Sequence, residues 1–244
     1  MNQFHIHVGQ AYYLLWLAVC LWQNKENKKI KNMKKLLFFI VLLFSTLSVS
    51  AQRMQKVSGA QQAKMISIIN ATAASIKTIQ SNFSQVKSVS FLNENVKSYG
   101  RMYYSNQGKL RWEYNSPYRY TFAINGGKVY IKSGAKSQVI DIRTSRLFKS
   151  IAQIMINSIT GRSLKANDDF NTQMYVDGNE WIAVLTPRKA QMKKMFRTVQ
   201  LHFNSRHNMV SQVVMTETSG DATVITLSGV RTNENIPDQI FFVK

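Results

Sequence analysis

Few residues in this chain have the types and spacing that could do covalent chemistry. Beyond residue 51 there are two histidines, His202 and His207, and neither has a cysteine or carboxylate at metal-ligand spacing. Asp168 and Asp169 are adjacent in a polar loop and Asp177 belongs to an Asp-Gly turn, so no two carboxylates stand out as an acid and a base. The chain has no G-x-S-x-G elbow, no phosphate loop and no dinucleotide fingerprint. Gly126-Gly127 is accounted for by a hairpin turn. These residues point to a binding protein, not an enzyme, with no cofactor and no metal.

The positive signal is aromatic. In "GKLRWEYNSPYRYTFAINGGKVYI", residues 108 to 131, Leu110, Trp112 and Tyr114 alternate with Lys109, Arg111 and Glu113. That period of two puts the bulky groups on one face of a strand and the charges on the other. Tyr99, Tyr103, Tyr104, Tyr118, Tyr120, Phe122 and Tyr130 crowd into the same neighbourhood. Aromatic residues are favoured in strands and can simply fill a core. A long, curved sheet can also enclose more space than its own side chains fill, and such sheets hold ligands.

The elements that must position these residues follow from periodicity. Ile66, Ile69, Ala73 and Ile76 recur at three and four, which predicts an amphipathic helix capped by Ser58. From Asn82 the period changes to two, and short strands with turns at Asn125-Gly127, Asp177-Gly178 and "TSGD" run through to a closing "PDQIFFV". Residues 144 to 161 interrupt them. There Leu147, Ile151, Ile154 and Met155 sit at helical spacing, with Thr144 or Ser145 as cap and Gly161 as stop. The fold class expected is mainly β with helices (α+β), with ten or eleven strands in a sandwich or barrel.

Residues 1 to 51 read as targeting sequence. Lys34 and Lys35, an apolar run from Leu36 to Phe44, and Val49 and Ala51 at the small-residue positions form a signal peptide over 33 to 51. Its apolar core is shorter than the ~20 residues that span a bilayer. The stretch before Met33 reads either as an over-extended start or as a long charged leader. Cys20, the single cysteine, falls there, so the mature chain has no disulfide and no lipid-acceptor thiol. Residues 52 to 244 make one domain of 193 residues carrying 26 Lys/Arg against 11 Asp/Glu, a net charge of +15. The cations are scattered, which suits lipid headgroups or an acidic protein better than nucleic acid in an exported protein. The basic connector from Arg188 to Lys194 is a place where such a contact would be made.

The order of segments resembles the outer-membrane lipoprotein carrier (LolA) family. The match rests on "FSQ" at 83 to 85, "GKLRWEYNSP", "NGGKVYI", the apolar inserted helix, "WIAVLTPR" and the distal "GDATVITLSGVRTNENIP" with its closing "FF". The resemblance implies an incomplete, strongly curved antiparallel β-barrel closed by an N-terminal helix and an inserted lid helix. It implies a monomeric periplasmic chaperone that takes lipoproteins from an inner-membrane exporter complex to an outer-membrane acceptor or to the membrane surface. On that reading Leu110, Trp112, Tyr114 and Phe122 line the acyl cavity, and Leu147, Ile151, Ile154 and Met155 belong to the lid. Relatives of this kind carry an arginine just before the Trp strand that latches the lid. Ser105 and Asn106 stand there instead, which moves the latch expectation to Arg101 or Arg111. The other readings are a lipid- or lipoprotein-sensing regulator of the same fold, and a carrier of another amphiphile such as a glycolipid.

Overall fold

Strand-period patterning over most of the chain produces one sheet. The computed structural model describes residues 54–90, 94–141, 156–157, 160, 164, 169–204 and 208–243. Its strands are β1 (Gln55–Lys56), β2 (Thr78–Ser88), β3 (Val96–Ser105), β4 (Lys109–Ser116), β5 (Tyr120–Asn125), β6 (Lys128–Ser133), β7 (Lys136–Asp141), β8 (Phe170–Asp177), β9 (Glu180–Pro187), β10 (Phe196–Asn204), β11 (Met209–Glu217) and β12 (Ala222–Thr232). They form an open, strongly curved antiparallel sheet of twelve strands in the order β1-β8-β9-β10-β11-β12-β2-β3-β4-β5-β6-β7. Nearly every neighbour in sequence is a neighbour in space, as hairpin connections dictate. Ten or eleven strands were expected; β1 and β7 lack a clear alternating signal. The closing "PDQIFFV" run is not a strand. It holds a 3-10 helix at Asp238–Phe241, with Phe241 buried.

Register sorts side chains onto two faces. Ile79 pairs with Tyr104, Tyr104 with Leu110, Leu110 with Ile124 and Ile124 with Val129. A parallel row runs Ser81, Met102, Trp112, Phe122, Ile131. These apolar rows line the concave face of β2 to β6.

That helix, α1 (Gly59–Ser75), begins at Ser58, whose side chain accepts a hydrogen bond from the Gln61 N–H as a cap should. Met65, Ile69 and Ala73 are its buried residues. Ile69 and Ala73 fall on the expected stripe, which Met65 widens. Met65 is buried where Ile66 is only partly so, and Ile76 lies beyond the helix in extended backbone. Met65 and Ile69 join Met174, Ala183, Leu201 and Val213 in a core over β8 to β11. A second core, over β12 and β2 to β6, gathers Phe83, Met102, Tyr104, Leu110, Trp112 and their neighbours.

The α1 helix also closes an edge. Where β1 ends, Val57 N–H still donates to Met174 O at 3.2 Å. The Gln62 side chain accepts from Met174 N–H at 2.9 Å and donates to Thr172 O at 3.2 Å, taking up β8 backbone groups that a neighbouring strand would otherwise use. Within the basic connector a single turn, α2 (Ala190–Lys193), buries Met192.

Between β7 and β8, Ile156, Asn157 and Thr160 are helical. Ile156 packs against the second core and Leu164 belongs to the first. The expected lid residues Leu147, Ile151, Ile154 and Met155 lie outside the described residues, as does the segment 33 to 51 read as a signal peptide.

Candidate functional site

The alternation read from "KLRWEY" places Leu110, Trp112 and Tyr114 on the concave side, and register brings Phe122 opposite Trp112. Leu110, Trp112 and Phe122 are buried and Tyr114 is partly so. Phe83 from β2 stacks on Trp112 with ring centroids 4.3 Å apart and planes at 28°, and meets Tyr114 edge-on at 5.1 Å and 83°. Tyr114 in turn lies 5.9 Å from Tyr120. The two Phe83 pairs have the stacked and T-shaped geometries that ring quadrupoles favour. The result is a continuous aromatic wall across β2, β4 and β5. Not every aromatic joins it. Tyr103 and Tyr130 fall on the convex parity, while Tyr99 and Tyr118 are exposed.

Phe83 and Trp112 sit two strands apart, and β3 lies between them. What lets their rings meet is Gly100. A Cβ there would come within 2.0 Å of the Glu113 carbonyl oxygen and 2.5 Å of the Phe83 ring. With no side chain at Gly100, Phe83 lies flat over β3 and reaches Trp112. Neither residue was singled out for the site from sequence. Gly100 interrupts an alternating strand, which is the signal for close approach of a neighbour.

Polar atoms on this wall are few. The Tyr114 hydroxyl donates to Gln85 Oε1 at 2.9 Å. Burial pushes the phenols of Tyr114 and Tyr120 above the ordinary tyrosine range. A hydrogen bond from the Trp112 indole N–H to the Tyr114 hydroxyl oxygen partly offsets that shift. Ser81 Oγ, also buried on the concave parity, has no hydrogen-bond partner among the described residues.

The two arginines proposed as latches stand elsewhere. Arg101 pairs across strands with Glu113, and Arg111 with Tyr103, on the convex face. The Arg111 guanidinium donates to Ile240 O at 3.1 Å and Phe242 O at 3.4 Å, and its Nε donates to Glu113 Oε2 at 3.1 Å. It fastens the C-terminal segment to the outside of the sheet, with Lys109 and Asp238 paired beside it at 2.8 Å. Neither arginine is on the side where a lid over the aromatic wall would be held, because each neighbours an inward residue in an alternating strand. Among the described residues no group of three or more His, Cys, Asp or Glu side chains is placed to hold a metal.

Among the described residues the concave face of the curved sheet is apolar and aromatic, a surface suited to apolar contacts. The family comparison agrees: the model described as "Outer membrane lipoprotein carrier protein LolA" matches residues 74–244. The chain belongs to the LolA family. Two relatives, each named outer-membrane lipoprotein carrier protein, are those of Methylococcus capsulatus and Chromobacterium violaceum. The first is 25% identical over 167 residues, covering 68% of this chain and 77% of the relative. The second is 26% identical over 183 residues, covering 74% and 83%. Among solved structures, a LolA superfamily protein from Nitrosomonas europaea aligns at 14% identity and a TM-score of 0.42, covering 73% of this chain and 97% of that one. LolA-family membership fits a carrier or chaperone, not an enzyme.

Proposed function

We propose that the mature chain is a periplasmic chaperone that holds lipoprotein acyl chains against the concave wall and carries them from the inner to the outer membrane. The observation that carries this reading is the ring cluster of Phe83, Trp112, Tyr114 and Tyr120 on the concave face of an open sheet. Residues 33 to 51 supply the export signal, an inner-membrane exporter complex loads the cargo, and an outer-membrane acceptor or the membrane surface receives it.

Each methylene removed from water is worth about 0.8 kcal/mol, so one sixteen-carbon chain approaches ~12 kcal/mol as an upper bound. A carrier that realised all of this would not release its load. The 144–161 segment solves the problem if its apolar residues Leu147, Ile151, Ile154 and Met155 compete with cargo for the same wall. Ile156, which packs against the second core, supports that arrangement. Net affinity is then the difference between two similar burials.

The test is direct. The protein is purified from the periplasm and whatever accompanies it is identified by mass spectrometry, with a Trp112→Glu variant alongside. Acylated proteins are expected with the wild type and are expected to vanish with the variant while export continues. Normal lipoprotein transfer by a folded Trp112→Glu protein would overturn the reading.

A further inference from the structure

Charge is shared unevenly between the two ends of the sheet. The β2–β3, β4–β5, β6–β7, β9–β10 and β11–β12 connections all lie at one end, because every neighbouring pair of strands along that run is antiparallel. In these connections, or within two residues of them, stand Lys97, Arg119, Lys136, Lys193, Lys194 and Arg197, all exposed. None of the six has an ion-pair partner among the described residues. The described acids beside them are largely committed. Asp169 pairs with Lys189 and Glu217 with Lys87 at 3.4 Å, while Asp221 Oδ1 accepts from the Ser90 N–H at 2.8 Å, which leaves Glu94. At the opposite end cations are matched: Lys109 pairs with Asp238 at 2.8 Å, Arg231 with Glu234 at 3.6 Å, and Lys128 stands across the ladder from Asp141.

Exposed apolar groups lie among the unmatched charges. Val96 is 47% exposed, Tyr99 52% and Tyr118 80%. Tyr99 stands across from Ser116, so the two tyrosines flank the same turn. They also continue the aromatic wall. Leu110 and Trp112 are buried, Tyr114 and Tyr120 are partly so, and Tyr118 between them in sequence emerges into solvent. The wall therefore runs out at the basic end.

We propose that this end of the sheet is a docking surface for an anionic membrane, with the six cations on lipid phosphates and Tyr99 and Tyr118 at headgroup depth. Tyrosine suits that depth, since its ring is apolar and its hydroxyl stays wet. Each cation brought near such a surface strengthens binding about fivefold. An acidic protein is the weaker match. The cations are spread over four connections, and a fluid array of phosphates meets that spacing where a folded surface would have to be shaped to it. The inference rests on the carrier reading and deepens it: the receiver is the membrane surface itself, and the open end of the wall is brought against it.

The test measures co-sedimentation of the mature protein with vesicles of phosphatidylcholine alone, or of equal parts phosphatidylcholine and phosphatidylglycerol. Wild type is expected to bind the anionic vesicles about a hundredfold more tightly, and to lose that preference as salt is raised. Lys97→Gln combined with Arg119→Gln should weaken binding about twentyfold. Tyr118→Ser should weaken it severalfold with an unchanged salt dependence. Lys77→Gln combined with Lys128→Gln removes the same charge from exposed positions at the opposite end and should change binding by less than about threefold. Equal weakening by the two double variants would overturn the docking surface as sited. Equal binding of wild type to both kinds of vesicle would overturn the membrane as its occupant and point to an acidic protein instead. Either failure leaves the carrier reading standing, because that reading is judged by the acylated proteins that accompany the protein from the periplasm.

Discussion

Replacing Gly100 by alanine tests whether the aromatic wall depends on a missing side chain. The added methyl would lie 2.0 Å from Glu113 O, 2.5 Å from Phe83 Cζ and 2.7 Å from Phe83 Cε1. Contacts below about 3 Å must relax, and the carbonyl belongs to the β3–β4 ladder, where Gly100 pairs with Tyr114 beside a register shift. Either the ladder opens or Phe83 leaves. Overpacking of this kind costs about 1–3 kcal/mol. Losing the Phe83 contacts to Trp112 and Tyr114 removes about 0.5–1.5 kcal/mol for each ring pair. The expected destabilisation is therefore about 2–6 kcal/mol, a large share of what holds a domain folded. Urea denaturation of the mature protein measures it, with Gly100→Ala made in wild-type and Phe83→Ala backgrounds. Most of the ring-dependent share should disappear when Phe83 is already gone, since the two sites are in contact. An equal cost in both backgrounds would place the whole effect at the Glu113 carbonyl and refute the idea that Gly100 exists to seat the ring. A loss below about 0.5 kcal/mol would refute the packing argument altogether.

Two further outcomes follow from the structure. Arg111→Ala should free the C-terminal segment from the convex face at a cost of about 1–2 kcal/mol, seen as faster amide exchange at Phe242, whose N–H donates to Gln239 O; unchanged exchange would deny Arg111 its fastening role. Burial raises the Tyr114 phenol above the unfolded value near 10, so its protonated form is favoured in the fold, and that stability is complete below about pH 10 and lost as pH rises through the folded value. Tyr114→Phe should flatten part of the alkaline fall in the urea midpoint and remove one late-titrating phenol from the absorbance curve.

What the sequence revealed, and what it did not, depended on the distance over which the cause acts. Leu110, Trp112 and Tyr114 could be placed on one face because alternation is local, and Ser58 could be chosen as a cap because it precedes an apolar helical run. The Phe83–Trp112 stack was hidden, since it joins residues far apart in sequence through a gap at a third, Gly100. The burial of Ser81 was hidden for the same reason, since it stands opposite Met102 on another strand. The C-terminal run was misread as a strand because Ile240, Phe241 and Phe242 have strand-forming side chains. Arg111 takes the carbonyls of two of them and Phe241 sinks against the sheet, interactions a local pattern cannot express. Arg101 and Arg111 were assigned to a latch by likeness to relatives. Their own alternation with Met102, Leu110 and Trp112 already put them on the opposite face.

The closure of β8 by α1 bears on how such a protein survives in company. A sheet that stays open to admit a guest exposes backbone that any other chain could extend, which is the route to polymer and deposit. Here the first strand is only two residues long and includes Lys56, and beyond it the Gln62 amide occupies the Met174 N–H and Thr172 carbonyl in place of a further strand. One glutamine thus acts as a stopper on the lengthening of the sheet. On the carrier reading proposed above, the opening can stay available without inviting a second copy of the protein to add itself along that border.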